Sequence, residues 1–344
     1  MPPVTVARPK GHGTASGPPV KRSLKAADKK TMAAERYRLV TRSDFDGLVC
    51  AVLLKALDLV DDIAFVHPKD VQDGVVAIGP GDITTNLPYA PQAHLVFDHH
   101  LSETLRNLRI ASNHVIDPRA PSAARVVYDH YGGRDRFPDV SEELMRAVDQ
   151  ADSAQYSLEE VLHPEGWVLL NFLMDSRTGL GRFRDFGISN YQLMMQLIDA
   201  CSRHGVEEIL RLPDVKERVA LYHSQSELFV EQLRRCTSVR GTVAVVDLRP
   251  EETIHAGNRF MVYALYPQCS VSAHVLWGRQ RQNTVVAVGK SILDRSSGAD
   301  IGALMLSYGG GGHANAGTCQ VPHNQADRVV AEIVDELNAA SVQV

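Results

Sequence analysis

The 344-residue chain is expected to be an α/β protein, with an N-terminal doubly wound parallel sheet followed by a smaller C-terminal mixed α/β domain. Three observations point there. From about Glu35, short β-prone apolar runs alternate with helix-like segments. A long stretch from Tyr191 to Arg235 then reads as purely helical. After Arg240 strands return, two of them joined by a short polar hairpin.

In chain order, Tyr37–Thr41 is a short strand running into Ser43-Asp44, and Gly47 to Val60 is a helix rich in Leu, Val and Ala. Ile63–His67, Ile83–Asn86 and His94–Asp98 are further strands. Glu142–Asp149 is helical, with Ser141 as N-cap and acids in the first turn. In the helical stretch Leu193, Leu197, Ile198, Ile209, Leu210, Val219, Leu228 and Leu233 recur at near-helical intervals. Val243–Leu248, Ser270–Trp277 and Thr284–Val288 are strands, and Gly278–Asn283 links the last two. Asp300–Ser307 and Ala326–Ala339 are helices. The expected division is a basic tail over residues 1–34, a first domain over 35–200, a helical connector over 201–235 and a second domain over 236–344.

An apolar fraction of 44 % and a charged fraction of 22 % are ordinary for a soluble globular protein. No apolar run approaches the roughly 20 residues that span a bilayer. The first 30 residues carry seven Lys or Arg against one acid, and their composition cannot bury enough surface to order them. They also lack the apolar stretch of a secretory signal. Residues 31–344 then hold 29 bases and 40 acids, a net charge of −11. Such a body is a poor match for long duplex nucleic acid, which favours a basic stripe, and suits a small anionic substrate held through metal ions. The five cysteines (Cys50, Cys201, Cys236, Cys269, Cys319) have no paired spacing, which excludes a Cys-based zinc motif and points to the cytoplasm.

The chemistry-bearing residues fall at element ends. Phe97-Asp98-His99-His100 closes an apolar strand, where an open parallel sheet places its ligand crevice. Ser43-Asp44-Phe45-Asp46-Gly47 joins a strand to a helix, with two carboxylates one residue apart and a glycine that permits tight packing. Asp152 follows a helix, and Asp82 and Asn86 flank the Ile-Thr-Thr strand. Gly309-Gly310-Gly311-Gly312-His313 follows a short helix; successive glycine amides can form a nest for an anion. Arg177, Arg182 and Arg184 lie in a loop from which they can reach a phosphate.

The order of these motifs over residues 36–322 resembles the DHH phosphoesterase superfamily. That superfamily includes RecJ-type exonucleases, nanoRNases, cyclic-dinucleotide phosphodiesterases and inorganic or polyphosphate hydrolases. Phe97–His100 matches its naming motif, Ser43–Gly47 its first acidic motif, Asp152 its fourth, and Ser307–His313 the signature of its substrate domain. The resemblance implies that Asp46, His99 and Asp152 hold one metal and Asp44 the other. The second-motif acid should bridge the two; Asn86 occupies that place, with Asp82 the nearest carboxylate. Many relatives carry a metal-binding His where this chain has Val40. His100, with Asp98, would act at the substrate phosphate; His313, Gly310, Gly311 and Gly312 would bind its far end, Lys290-Ser291 a phosphate, and Arg259 would contribute.

Carboxylates with one imidazole suit manganese or magnesium, one or two ions per chain, which activate water for attack on phosphorus. The expected function is hydrolysis of short nucleotide phosphodiesters or phosphomonoesters: oligoribonucleotides, phosphoadenosine phosphate, linear or cyclic dinucleotides. An exopolyphosphatase-like hydrolase is the alternative enzyme; a nucleotide-binding pseudoenzyme or sensor is the alternative of another class. A nucleic-acid-binding module working through the basic tail is a third reading. A homodimer is allowed for, and no membrane partner is expected.

Overall fold

The structure, a computed structural model, describes residues 36–100, 111–183 and 185–341. The expected tail over residues 1–34, and Arg184, lie outside them.

Five parallel strands form the first sheet: β1 (Tyr37–Arg42), β2 (Val60–Val66), β3 (Asp82–Thr85), β4 (Leu95–Asp98) and β5 (His114–Ile116), in the order β2-β1-β3-β4-β5. This is a doubly wound order, and its switch point lies between β1 and β3, where a crevice opens beyond the carboxyl ends of the strands. Register places Thr41 beside Thr85 and Thr85 beside Phe97, so Arg42, Asn86 and Asp98 emerge along one edge. Behind β1 runs α1 (Phe45–Ala56), whose residues from Phe45 to Leu54 are all buried, as a helix covered on every side requires. It starts earlier than the Gly47 expected because the Asp44 side chain caps it. It ends before Val60, which opens β2, where Asp58 turns left-handed at φ 57°.

Helices α2 (Pro68–Gln72), α3 (Ala123–His130), α4 (Glu142–Asp152), α5 (Leu158–Leu162) and α6 (Gly166–Met174) follow. Ser141 caps α4 as expected. The expected helical stretch is three helices, α7 (Asn190–Cys201), α8 (Val206–Ile209) and the 24-residue α9 (Pro213–Cys236), which passes directly into the second sheet.

That sheet contains β6 (Thr237–Arg240), β7 (Val243–Asp247), β8 (Val271–Trp277), β9 (Thr284–Lys290), β10 (Gly311–His313) and β11 (Ala316–Val321), in the order β10-β11-β9-β8-β7-β6. All neighbours are antiparallel except β7 and β8. Between β7 and β8 lies the short α10 (Met261–Leu265). Val243, Val245, Val271, Val275 and Val286 pack against α11 (Ile301–Ser307) and α12 (His323–Ser341). On the other face Ala244 and Val246 join the core that continues through α9 to the first sheet. Among the described residues no helix is long and apolar enough to cross a membrane.

The glycine run differs from the expected nest. Gly309, at φ 76°, ends α11, and Gly311–His313 is a strand. A Cβ on Gly310 would strike the carbonyl oxygen of Thr318, and one on Gly312 that of Ala316. Here the missing side chains serve close strand packing.

Candidate active site

The carboxylates gather at the switch point. Asp44 sits in the turn after β1, where its carboxylate accepts from the Gly47 amide at 3.0 Å and pairs with Arg42 Nε at 2.9 Å. Gly47 is required there, since a Cβ would collide with the Arg42 carbonyl. Asp46, on the first turn of α1, is 2 % exposed. It accepts from the first amides of α3, Ala123 N–H at 3.0 Å and Ala124 N–H at 2.8 Å. Those amides have no partner within their own helix, so the carboxylate caps α3 while being oriented by it.

From the end of β4 and the end of α4, His99 and Asp152 approach the same point. His99 Nε2 lies 2.9 Å from Asp152 Oδ2. One ligand atom each of Asp46, His99 and Asp152 lie within 4.8 Å of one another, a spacing that can hold a divalent metal ion. Burial drives the Asp46 carboxyl well above the usual carboxylate range, and the Asp152 charge adds to it. Burial opposes charge on His99, but Asp152 and Asp46 outweigh it and lift the imidazole to about 9. Burial also works against an ionised Asp152, yet His99 holds it below the usual range.

A cation fits this donor set. The Ala120 carbonyl, 3.2 Å from His99 Nδ1, selects the tautomer with that nitrogen protonated and leaves the Nε2 lone pair toward the carboxylates. Nε2 is buried, and its 2.9 Å approach to Asp152 Oδ2 lacks hydrogen-bond geometry. Two carboxylates and one imidazole around such an atom are the ligands of a hard or borderline divalent ion.

Beside Asp44, Asn86 is left-handed at φ 54° and 1 % exposed. Its amide lies 3.4 Å from Asp44 Oδ1, and its own Oδ1 is buried without a partner. The other residue considered for this place, Asp82, is not brought here. It opens β3 at the far edge of the sheet, held by Arg38 at 2.8 Å and the Gly79 amide at 2.8 Å. A strand of four residues separates the two positions, so only the Asn86 side chain reaches the crevice edge.

His100 Nδ1 lies 2.6 Å from Oδ1 of the fully buried Asp98. Across the crevice its ring stacks on His313 from β10, with centroids 4.7 Å apart and planes 21° from parallel. Burial, then the neighbouring His100, pushes His313 down to about 4. Gly311 and Gly312 form the short strand that delivers His313, and Gly310 leads into it. Lys290 and Ser291 lie at the end of β9 next to the turn after His313: the Lys290 amide donates to the Asn315 carbonyl, and the Ser291 hydroxyl accepts from Leu293 and Asp294. Among the described residues no hydrogen bond or ion pair joins either to the carboxylates. Arg259 does reach the site, lining one small cleft with Asp44, Asp46, Asp152 and Arg177. Two contributors carried no sequence signal of their own. Arg42 is simply the last residue of β1, and Asp175, at the end of α6, acquires its meaning from Arg259, distant in the chain.

No protein-family model and no curated protein matches the chain. Among solved structures, it shares a fold with a member of the s1p family of ribosomal proteins, described as its DHH domain: TM-score 0.51 and 13 % identity over 89 % of this chain and 87 % of that one. A parallel sheet that gathers Asp44, Asp46, His99 and Asp152 at its switch point, joined to a mixed sheet bearing the glycine-rich strand, defines the class: the chain belongs to the DHH phosphoesterase superfamily. Its membership rests on likeness to the pGpG-specific phosphodiesterase PggH of Vibrio cholerae. The two share 60 % identity over 89 % of this chain and 100 % of that one, with a TM-score of 0.75.

Proposed function

We propose that the chain is a divalent-metal-dependent phosphodiesterase that hydrolyses short nucleotides, with the linear dinucleotide pGpG as its representative substrate. The observation that carries this reading is the convergence of Asp46, His99 and Asp152 opposite the His100–His313 pair. The specificity printed for the Vibrio cholerae relative supports the choice of substrate.

Asp46, His99 and Asp152 would hold a manganese or magnesium ion, which when bound supplies Lewis acidity toward a phosphoryl oxygen and toward water. Asp44 and the Asn86 oxygen would offer a second, weaker place, because one carboxylate there is already paired with Arg42 and the other donor is neutral. Asp98 orients His100 through Nδ1, leaving Nε2 to donate to the phosphoryl or leaving oxygen. His313, held neutral by its surroundings, adds a flat polar wall on which the substrate rests. Residues 201–235 would connect the metal-binding and substrate-binding halves, and the chain would work in the cytoplasm, which its free cysteines suit.

The test is a substrate panel of pGpG, phosphoadenosine phosphate, a cyclic dinucleotide and polyphosphate, run with manganese, magnesium or a chelator. Manganese-dependent conversion of pGpG to guanosine monophosphate is expected. Preference for polyphosphate would favour the exopolyphosphatase-like alternative. Saturable pGpG binding without turnover under every condition would favour a sensor, the reading that Val40 and Asn86 support.

A further inference from the structure

Asp46, His99 and Asp152 come from separate elements, yet all three are seated at one joint between α3 and α4. Asp46 accepts from the Ala123 and Ala124 amides at the start of α3. His99 Nδ1 faces the Ala120 carbonyl, just upstream in the chain, at 3.2 Å. Asp152 closes α4, and one turn before it on the same helix face stands Asp149. The segment Ala120–Ala124 therefore seats two members of the cluster, and α4 carries the third.

Asp149 ties these two pieces together. Ser122 donates its hydroxyl to Asp149 Oδ1 at 2.8 Å, and Arg125 reaches Oδ2 through Nε at 3.0 Å and through a second guanidinium nitrogen at 2.5 Å. The Ser122 hydroxyl also accepts from the Arg125 amide at 3.0 Å, so the cap of α3 is itself bonded to α4. Ser122 is fully buried, and the side chains of Arg125 and Asp149 keep only 23 % and 18 % exposure, which strengthens each of these bonds. Arg125 balances the Asp149 charge, so the joint adds no net charge beside the cluster. A restraint is needed there. Asp46 and Asp152 are like charges whose oxygens are held within 4.8 Å, and without one they would relax apart.

We propose that Asp149, through Ser122 and Arg125, fixes the spacing of Asp46, His99 and Asp152 and so sets the affinity of the chain for its divalent ion. Asp149 is a positioning residue: both of its oxygens are taken by Ser122 and Arg125, and it offers no ligand atom to the cluster. The inference rests on the metal-dependent reading above.

The test titrates manganese into the chelator-treated full chain by calorimetry and records thermal melting without metal. Asp149→Ala is expected to weaken manganese binding by about 10–100-fold, the range for groups that stand behind metal ligands. Asp149→Asn keeps an acceptor for Ser122 and should fall between that variant and the parent. Glu143→Ala is the control. Glu143 holds the other end of α4 by accepting from the Trp167 indole at 2.8 Å, so its loss should lower the melting temperature without moving manganese affinity. Unchanged affinity in Asp149→Ala overturns the proposal. Equal weakening by Glu143→Ala overturns it too, because any loosening of α4 would then suffice. Should Asp149→Ala fail to melt cooperatively, Asp149→Asn and Ser122→Ala decide by the same criteria. A parent chain that binds no manganese removes this inference and the functional reading together. One that binds manganese but leaves pGpG intact, with binding weakened in Asp149→Ala, removes the functional reading and keeps the joint.

Discussion

Asp46 makes the clearest case at the scale of single residues, because one carboxylate both caps α3 and faces His99 and Asp152. Asp46→Asn keeps one acceptor oxygen for the helix amides but removes the charge. Melting temperature should change little, while bound manganese and turnover both fall at least about a hundredfold, the scale of losing a charged catalytic contact. Metal analysis beside a turnover assay checks this. His100→Ala should retain metal and lose turnover. A third prediction concerns His274, which burial, then the Arg259 charge, depresses to about 4 from the ordinary 6.5. Its protonation is disfavoured in the folded chain, so the associated stability is complete above pH 6.5 and declines as pH falls toward 4. His274→Gln should flatten that part of the melting-temperature profile; an unchanged slope would show that His274 does not shape it. The clustered residues Asp46, His99 and Asp152 were legible as motifs, since strand ends and turns concentrate Asp and His. Asp175 was not, because its two arginine partners come together only in three dimensions.

Among the elements, the glycine strand gives the sharpest comparison. Gly310→Ala or Gly312→Ala forces β10 away from β11, at a cost of about 1–3 kcal/mol by analogy with overpacking, and shifts His313 from its seat on His100. Gly311→Ala meets open space and should leave melting temperature within a degree or two. Chemical denaturation of the three variants decides it. Strands β1, β2, β3, β4, β7, β8 and β9 were visible in the sequence because short apolar runs end in turn residues. Helix α6 was not: Gly166–Met174 is apolar almost throughout, being covered on all sides, so no amphipathic period announces it. β10 was hidden for the opposite reason, since glycines describe a loop until their neighbours show what they are pressed against.

For the whole molecule, ligands drawn from α1, β4 and α4 meet only when the first sheet has formed, so metal affinity adds to folding free energy. Manganese at a hundred times its dissociation constant should stabilise the chain by about 2.7 kcal/mol, raising the melting temperature by a few degrees. His99→Ala should abolish that shift, and calorimetry with and without chelator measures both. The two-part α/β architecture and the order of its elements followed from alternation of pattern along the chain. The stacking of His100 on His313 did not, because it depends on how far apart the sheets are held. That separation is governed by α9, whose 24 residues run without a break into β6. Such a helix behaves as a ruler: one residue added to its span would advance everything beyond it by about 1.5 Å and rotate it by about 100°. The imidazole carried by the second sheet would then be aimed away from its counterpart. Changes of length are therefore expected to be tolerated in the surface turns and not within this strut.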